Sequence, residues 1–392
     1  MQSYNNTDKI NVLMISIGDN ILSNPVGDAL HRQQEYAKAL GHIDMIVFSP
    51  KSNNLQEKHY KNISIYPTKS LNMITFVQDV IRIAKKIIKE KKIDVITTQD
   101  PFGTALAGYI LKNKYDIALH IQNHSCFLDN KEWISEKPLL FSIFNKLSYF
   151  TLKKADRLRV VNRAEKQKYI DILGIDKDKI DVAPVPVNIE FWQDEITQKD
   201  KDDFVEKYNI DKTKPILSWA GRVVKFKNIP YLFKSIAKVN SEYKVNFLVA
   251  GDMKNSYIDL AKLEKELNIK PIYLGLLTHE ELKIMYYLTD IYLHTSNYEG
   301  FGLVVSDAQA CGTIVLSRYT AGTSDIIDDK KSGFLIDGNS DKFSQKIVEL
   351  LKTKQYLNMG KYAKDMMKMK FNSADMFKDI LNSIKKSILN DK

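Results

Sequence analysis

Short, unbroken apolar runs recur along the whole chain, and each is followed by a helical pattern. A strand with one face in water alternates apolar and polar residues, so runs this continuous read as parallel strands buried on both faces. In the first half they fall at 12–17, 45–48, 95–98, 118–122, 158–161 and 180–184. In the second half they fall at 216–220, 245–250, 272–274, 291–294, 314–317 and 334–336. Six strands in each half, with helices between them, predict an α/β chain of two doubly wound, Rossmann-like parallel sheets. At 392 residues the chain is too long for one core and suits two domains of about 150 to 200 residues each.

Pro184, Pro186 and the charged stretch 193–203 break both periodicities, as a linker does. The expected boundary lies near Asn188, giving a first domain 1–188 and a second 189–375. Amphipathic runs at 342–351, 362–369 and 376–389 close the chain, and the terminal segment 376–392 can pack back on the first domain. Open sheets bind ligands at the carboxyl ends of their strands, so two such sheets facing each other are expected to enclose a cleft there.

Composition removes several classes. No stretch approaches the roughly 20 uninterrupted apolar residues of a membrane span. Residues 1–8 are polar and lack the basic flank and apolar core of a secretory signal, so a cytoplasmic location is expected. Cys126 and Cys311 lie far apart; although His124 is near Cys126, no further ligands complete a metal pattern, and both cysteines read as small reduced side chains. The formal charge of +10 accompanies a general abundance of lysine, and no DNA- or RNA-binding signature is present, so nucleic acid is not an expected partner.

Directly after the run ending at His294 comes Tyr298, Glu299, Gly300, Phe301, Gly302, Leu303, Val304, Val305, Ser306, Asp307. It reads as strand, glycine turn, helix. Such a turn lets backbone approach a ligand, and the free N–H groups of a helix start, with the helix dipole, suit a diphosphate. Glu299 and Asp307 are eight residues apart, about 12 Å along a helix, a span that a nucleotide sugar can bridge from hexose to ribose. On the glycines alone, a tight turn without a ligand is an equal reading. After the run 216–220 stand Arg222 and Lys227, which can converge on a leaving diphosphate as it gains charge, the guanidinium gripping two oxygens and the ammonium acting as a point charge.

With these residues in view, the chain resembles the retaining glycosyltransferases of family 4, whose fold is called GT-B. Their motif of two glutamates separated by seven residues is here Glu299 and Asp307, the second carboxylate one methylene shorter. The resemblance implies that Glu299 contacts the transferred hexose, that the amides of Gly300, Phe301, Gly302 and Leu303 meet phosphate or sugar hydroxyls, and that Asp307 bonds the ribose. It implies that Arg222 and Lys227 clamp the diphosphate. The likeness continues through Val249 to Asp252 and Ala308 to Gly312, and more loosely through Gly322, Thr323, Ser324 and Asp325. In the first half it covers 29–40, with Arg32 and Tyr36, 97–104, with Gln99, Asp100, Pro101 and Phe102, and 121–125, with His124. His124 stands where the family places a histidine or acid near the acceptor and the anomeric carbon, which makes it the second catalytic candidate; a satisfied structural histidine is the other reading. Arg32, Asp100 and Asp19, the last in a loop with Gly18 and Gly27, are acceptor or cleft candidates.

The resemblance and the residues together imply a hexosyltransferase that takes a nucleotide-diphosphate sugar and a glycan, lipid-linked or small-molecule acceptor, retains anomeric configuration and needs no metal or other cofactor. A nucleotide-sugar epimerase, a phosphorylase or an inactive nucleotide-sugar-binding protein are the rival readings. His294, Thr295 and Ser296 read as structural, and Thr278 to Glu281 as a capping box. Two segments, 80–92 and 139–154, mix lysines with apolar and aromatic residues, and such faces can dock peripherally on an anionic membrane at its inner side.

Overall fold

In the computed structural model, which describes residues 9–18, 20–23 and 28–389, the chain forms two compact units. Unit 1 takes the chain up to Asn130, Lys137–Pro184 and everything from Phe377; unit 2 takes Lys131–Glu136 and Val185–Met376. Asp19 and Gly27 lie outside the described residues.

Unit 1 holds an eight-stranded sheet of β1 (Ile10–Ser16), β2 (Gly41–Val47), β3 (Lys58–Tyr60), β4 (Ile63–Pro67), β5 (Val95–Thr98), β6 (Ala118–Asn123), β7 (Arg157–Val160) and β8 (Ile180–Val182), in the order β3-β4-β2-β1-β5-β6-β7-β8. The six expected strands are all present, and two more, β3 and β4, extend one edge. β3 pairs antiparallel with β4, so the sheet is not wholly parallel. This hairpin is short and carries Lys58, His59, Lys61 and Asn62, which is why no continuous apolar run announces it.

Along β1, alternate residues enter opposite layers. Leu13 and Ile15 pack with Phe76, Val80 and Ala84, and Val12 and Met14 pack with Tyr36, Ile380 and Ile384. Phe76, Val80, Ala84 and Ile87 are the buried stripe of the Met73–Glu90 helix, so the apolar face of segment 80–92 is core, not a membrane surface. The terminal helix Ser373–Leu389 covers the second layer, with Phe377 stacked on Tyr36 at 4.9 Å. Ile384 is 1% exposed, so Ile384→Ala is expected to lower unfolding free energy by about 2–5 kcal/mol, read from a denaturant midpoint; an unchanged midpoint would separate this helix from the core.

Unit 2 holds β9 (Ile216–Ala220), β10 (Asn246–Ala250), β11 (Ile272–Gly275), β12 (Ile291–His294), β13 (Ile314–Arg318) and β14 (Gly333–Ile336) in the order β11-β10-β9-β12-β13-β14, every pair parallel. The order reverses between β9 and β12, so the loops leaving those two carboxyl ends part and leave a crevice. The stretch 193–203 is not an open linker. Asn188 caps the Ile189–Gln193 helix, and Thr197 with Asp200 forms a capping box on the Gln198–Lys207 helix. The Thr-x-x-Asp spacing was the available signal. Thr278 and Glu281 form the second such box.

Candidate functional site

At the switch point of unit 2, two loops from distant parts of the sequence are stitched together. Thr295 donates to the Lys227 carbonyl at 3.0 Å, the Asn297 amide donates to the Phe226 carbonyl at 2.7 Å, and Asn228 donates to the Asn297 side chain at 2.8 Å. Phe226 stacks on Tyr298 with ring centres 5.0 Å apart. These contacts set Lys227 Nζ 2.6 Å from Glu299 Oε2. Ser296 Oγ donates to the same oxygen at 3.3 Å, and His294 Nε2 lies 3.4 Å from it, with His294 Nδ1 held by Ser317 Oγ at 2.9 Å. The Glu299 side chain is 18% exposed. Burial opposes its ionisation, but Lys227 and His294 outweigh burial and hold the carboxylate down at about 2. Burial likewise pushes the His294 imidazole below its ordinary value.

Behind Glu299 the chain turns through Gly302, whose φ of +100° is left-handed backbone that a side chain would strain, and opens the Leu303–Ala310 helix. The first carbonyl bonds of that helix are Val305 and Ser306 to Gly302, so the amides of Leu303 and Val304 precede the ladder, where helix donors lack backbone acceptors. The Gly322 amide donates to the Glu299 carbonyl at 3.1 Å, and a Cβ at 322 would lie 2.6 Å from the Phe301 carbonyl oxygen. The loosely matching 322–325 segment is therefore the backing of the turn.

Arg222 stands exposed just past β9, and its guanidinium makes no hydrogen bond or ion pair among the described residues. Its expected companion Lys227 is engaged with Glu299. Asp307 sits one turn into the helix, where burial raises its pKa well above the ordinary value and the Trp192 side chain bonds it. Cys311, one turn further, donates to the Trp192 carbonyl at 3.4 Å; it and Cys126 are both buried, and neither forms a disulfide. His294 and Ser296, read from sequence as structural, both have their side chains on Glu299. A histidine ending a buried strand five residues before the glutamate was the signal available.

In unit 1, His124 follows β6 and its Nε2 lies 2.9 Å from Gln99 Oε1. Burial first, then the charges of Arg159 and Arg32, lower its pKa to about 3, so the imidazole is neutral. Arg32 lies on the Asp28–Leu40 helix. Asp100 is buried, its Oδ1 accepts from the Phe102 amide at 2.7 Å, and Thr104 bonds both its amide and its carbonyl. Through Oδ1 its carboxylate closes the turn that starts the Gly103–Tyr115 helix, while its buried Oδ2 has no hydrogen-bond partner among the described residues.

A helix start at a topological switch point, beside a lysine-held carboxylate, is an arrangement that glycosyl transfer can use. Residues 30–191 match Glycosyltransferase Family 4 and residues 200–366 match Glycosyl transferases group 1; the chain belongs to the family 4 glycosyltransferases. It is 26% identical over 346 residues, 85% of this chain and 90% of the relative, to an uncharacterized 41.2 kDa protein in the cps region of Klebsiella pneumoniae. Its match spans about half the length of several other curated relatives. Sucrose-phosphate synthase from Thermosynechococcus elongatus superposes with a TM-score of 0.79 at 17% identity, over 96% of this chain and 99% of that one. The Anabaena HepE protein, solved in complex with UDP and glucose, gives 0.74 at 15% identity, over 96% and 100%. The fold is GT-B.

Proposed function

We propose that the enzyme moves a hexose from a nucleotide-diphosphate sugar to a glycan, lipid-linked or small-molecule acceptor, with retention of anomeric configuration and without a divalent ion. The observation that carries this reading is the Lys227–Glu299 pair beside the amides that open the Leu303–Ala310 helix. The amides and Lys227 suit the diphosphate, Arg222 with its uncommitted guanidinium joins them, and Glu299 accepts hydrogen bonds from the hexose hydroxyls. Asp307 takes the ribose hydroxyls in exchange for Trp192. The HepE complex with UDP and glucose supports this class of donor. As the glycosidic bond breaks, its electron pair leaves with the diphosphate, whose growing charge Arg222 and Lys227 stabilise. A diphosphate oxygen then takes the acceptor proton on the same face, and His124 orients the acceptor as a neutral hydrogen-bonding group. Product anomers resolved by NMR after exhaustive chelation test this: unimpaired transfer with retained configuration is expected, and inversion, epimerised donor or a strict metal requirement would overturn it.

A peripheral contact with the inner face of the cell membrane belongs to the same reading. The Pro138–Lys154 helix exposes Leu139 at 81% and Ile143 at 55%, alongside Leu140, beside Lys137 and Lys146. Apolar side chains flanked by lysines suit an anionic lipid surface. The double variant Leu139→Asp, Ile143→Asp is expected to lose about tenfold or more in affinity for phosphatidylglycerol vesicles by sedimentation; undiminished binding would place the contact elsewhere.

A further inference from the structure

Beneath Glu299 the hydrogen bonds are one hydrogen short. Ser317 Oγ donates its only hydrogen to the Arg318 carbonyl at 2.6 Å, so its oxygen accepts from His294 Nδ1 at 2.9 Å. That bond fixes the tautomer: a neutral His294 carries its hydrogen on Nδ1 and presents a bare Nε2. Nε2 faces two oxygens, Ser296 Oγ at 3.0 Å and Glu299 Oε2 at 3.4 Å, and those two lie 3.3 Å from each other. Three atoms thus share the one hydrogen of the Ser296 hydroxyl. Wherever it points, at least one of these contacts sets lone pair against lone pair, and a proton on Nε2 relieves it. His294 is 1% exposed, so bulk water does not bathe the imidazole.

In this structure the positive charge on Glu299 comes from Lys227 instead, 2.6 Å from the same Oε2. The charged groups facing the imidazole are Glu299 after β12, Lys227 after β9 and Arg318 at the end of β13. Burial is the largest influence holding the imidazole below its ordinary value; Glu299 opposes it, and the two cations reinforce it. Lys227 therefore helps keep the proton out. On the donor reading of unit 2, on which this inference rests, a diphosphate draws Lys227 away from Glu299 and adds negative charge of its own. We infer that donor binding brings a proton from solvent onto His294 Nε2, and that the imidazolium then holds Glu299 in place of Lys227. His294 is a positioning residue: it acts through Glu299, keeping the carboxylate ionised and aimed at the hexose once the lysine has turned to the diphosphate.

Calorimetric titration of the full chain with UDP-glucose, or with GDP-mannose or ADP-glucose where one of those is the nucleotide sugar bound, counts the protons taken up when it is repeated in buffers of different ionisation enthalpy. The diphosphate diester of such donors has no proton to exchange near neutrality. Uptake of about half a proton or more is expected at about pH 7, and donor affinity is expected to weaken as pH rises through neutrality, by about tenfold per pH unit for a full proton. His294→Gln, which keeps a hydrogen-bonding group at that place, is expected to bind donor with no uptake and a flat neutral profile; uptake persisting in it would overturn the assignment. Lys227→Met is expected to lose the uptake too, because the Glu299–His294 pair already holds the proton before the donor arrives. If His294→Gln fails to fold, Lys227→Met decides alone. Donor binding by the wild type without proton uptake would overturn the inference and leave the donor reading intact. If none of the three nucleotide sugars binds, the donor reading falls and this inference with it.

Discussion

Glu299→Gln is expected to leave a folded protein whose turnover falls by about 10²–10³-fold, the range lost when one preorganised electrostatic group is removed. The substitution keeps shape and one oxygen, so Ser296 and Lys227 still have an acceptor, and the buried cluster keeps its packing. What disappears is a carboxylate held ionised at about 2 in a largely buried setting. Release of nucleoside diphosphate, assayed with whichever nucleotide sugar stabilises the fold, reads the loss, and far-ultraviolet circular dichroism melts confirm folding. Wild-type turnover in this variant would take Glu299 out of the chemistry.

Lys227→Met is expected to weaken donor binding about 10- to 100-fold, the worth of a charge-assisted hydrogen bond of ~1.5–3 kcal/mol, and to add a pH dependence that the wild type lacks. With Lys227 present, Glu299 is ionised at any pH well above about 2. Without it, burial is opposed by fewer groups and the folded pKa climbs, so the ionised fraction and the rate fall as pH drops through the new value. Stability moves with it. In the wild type, the depressed pKa of Glu299 adds stability above its ordinary 4.5, lost as pH falls through about 2; in the variant this contribution disappears, and acid unfolding begins at higher pH. A rate profile for Lys227→Met parallel to the wild type between pH 4 and 8 would contradict the pairing.

Much of the fold is legible in the sequence, for identifiable reasons. Strands buried on both faces leave unbroken apolar runs, so all six strands of unit 2 can be read in order, together with the glycine turn after β12. The hairpin of β3 and β4 cannot, because an edge pair only three and five residues long is half polar. The pairing of Lys227 with Glu299 depends on stitching between loops some seventy residues apart, by Thr295, Asn297 and Asn228, and no local pattern encodes that. A histidine inside a buried strand is ordinarily a satisfied core residue, so His294 reads as structural despite its spacing from Glu299; its 3.4 Å approach to Glu299 shows its place. The turn-closing bond of Asp100 is not marked in the sequence either, since a carboxylate at a strand end and one that closes a helix-starting turn share the same sequence context.

Donor recognition of this kind requires a pyrophosphate docked where the chain turns through Gly302, beside Lys227. A crystal structure of the chain with UDP tests it most directly: the diphosphate is expected within hydrogen-bonding distance of the amides after Gly302 and of the Lys227 ammonium. A diphosphate bound away from that turn, with Lys227 still closed on Glu299, would contradict it.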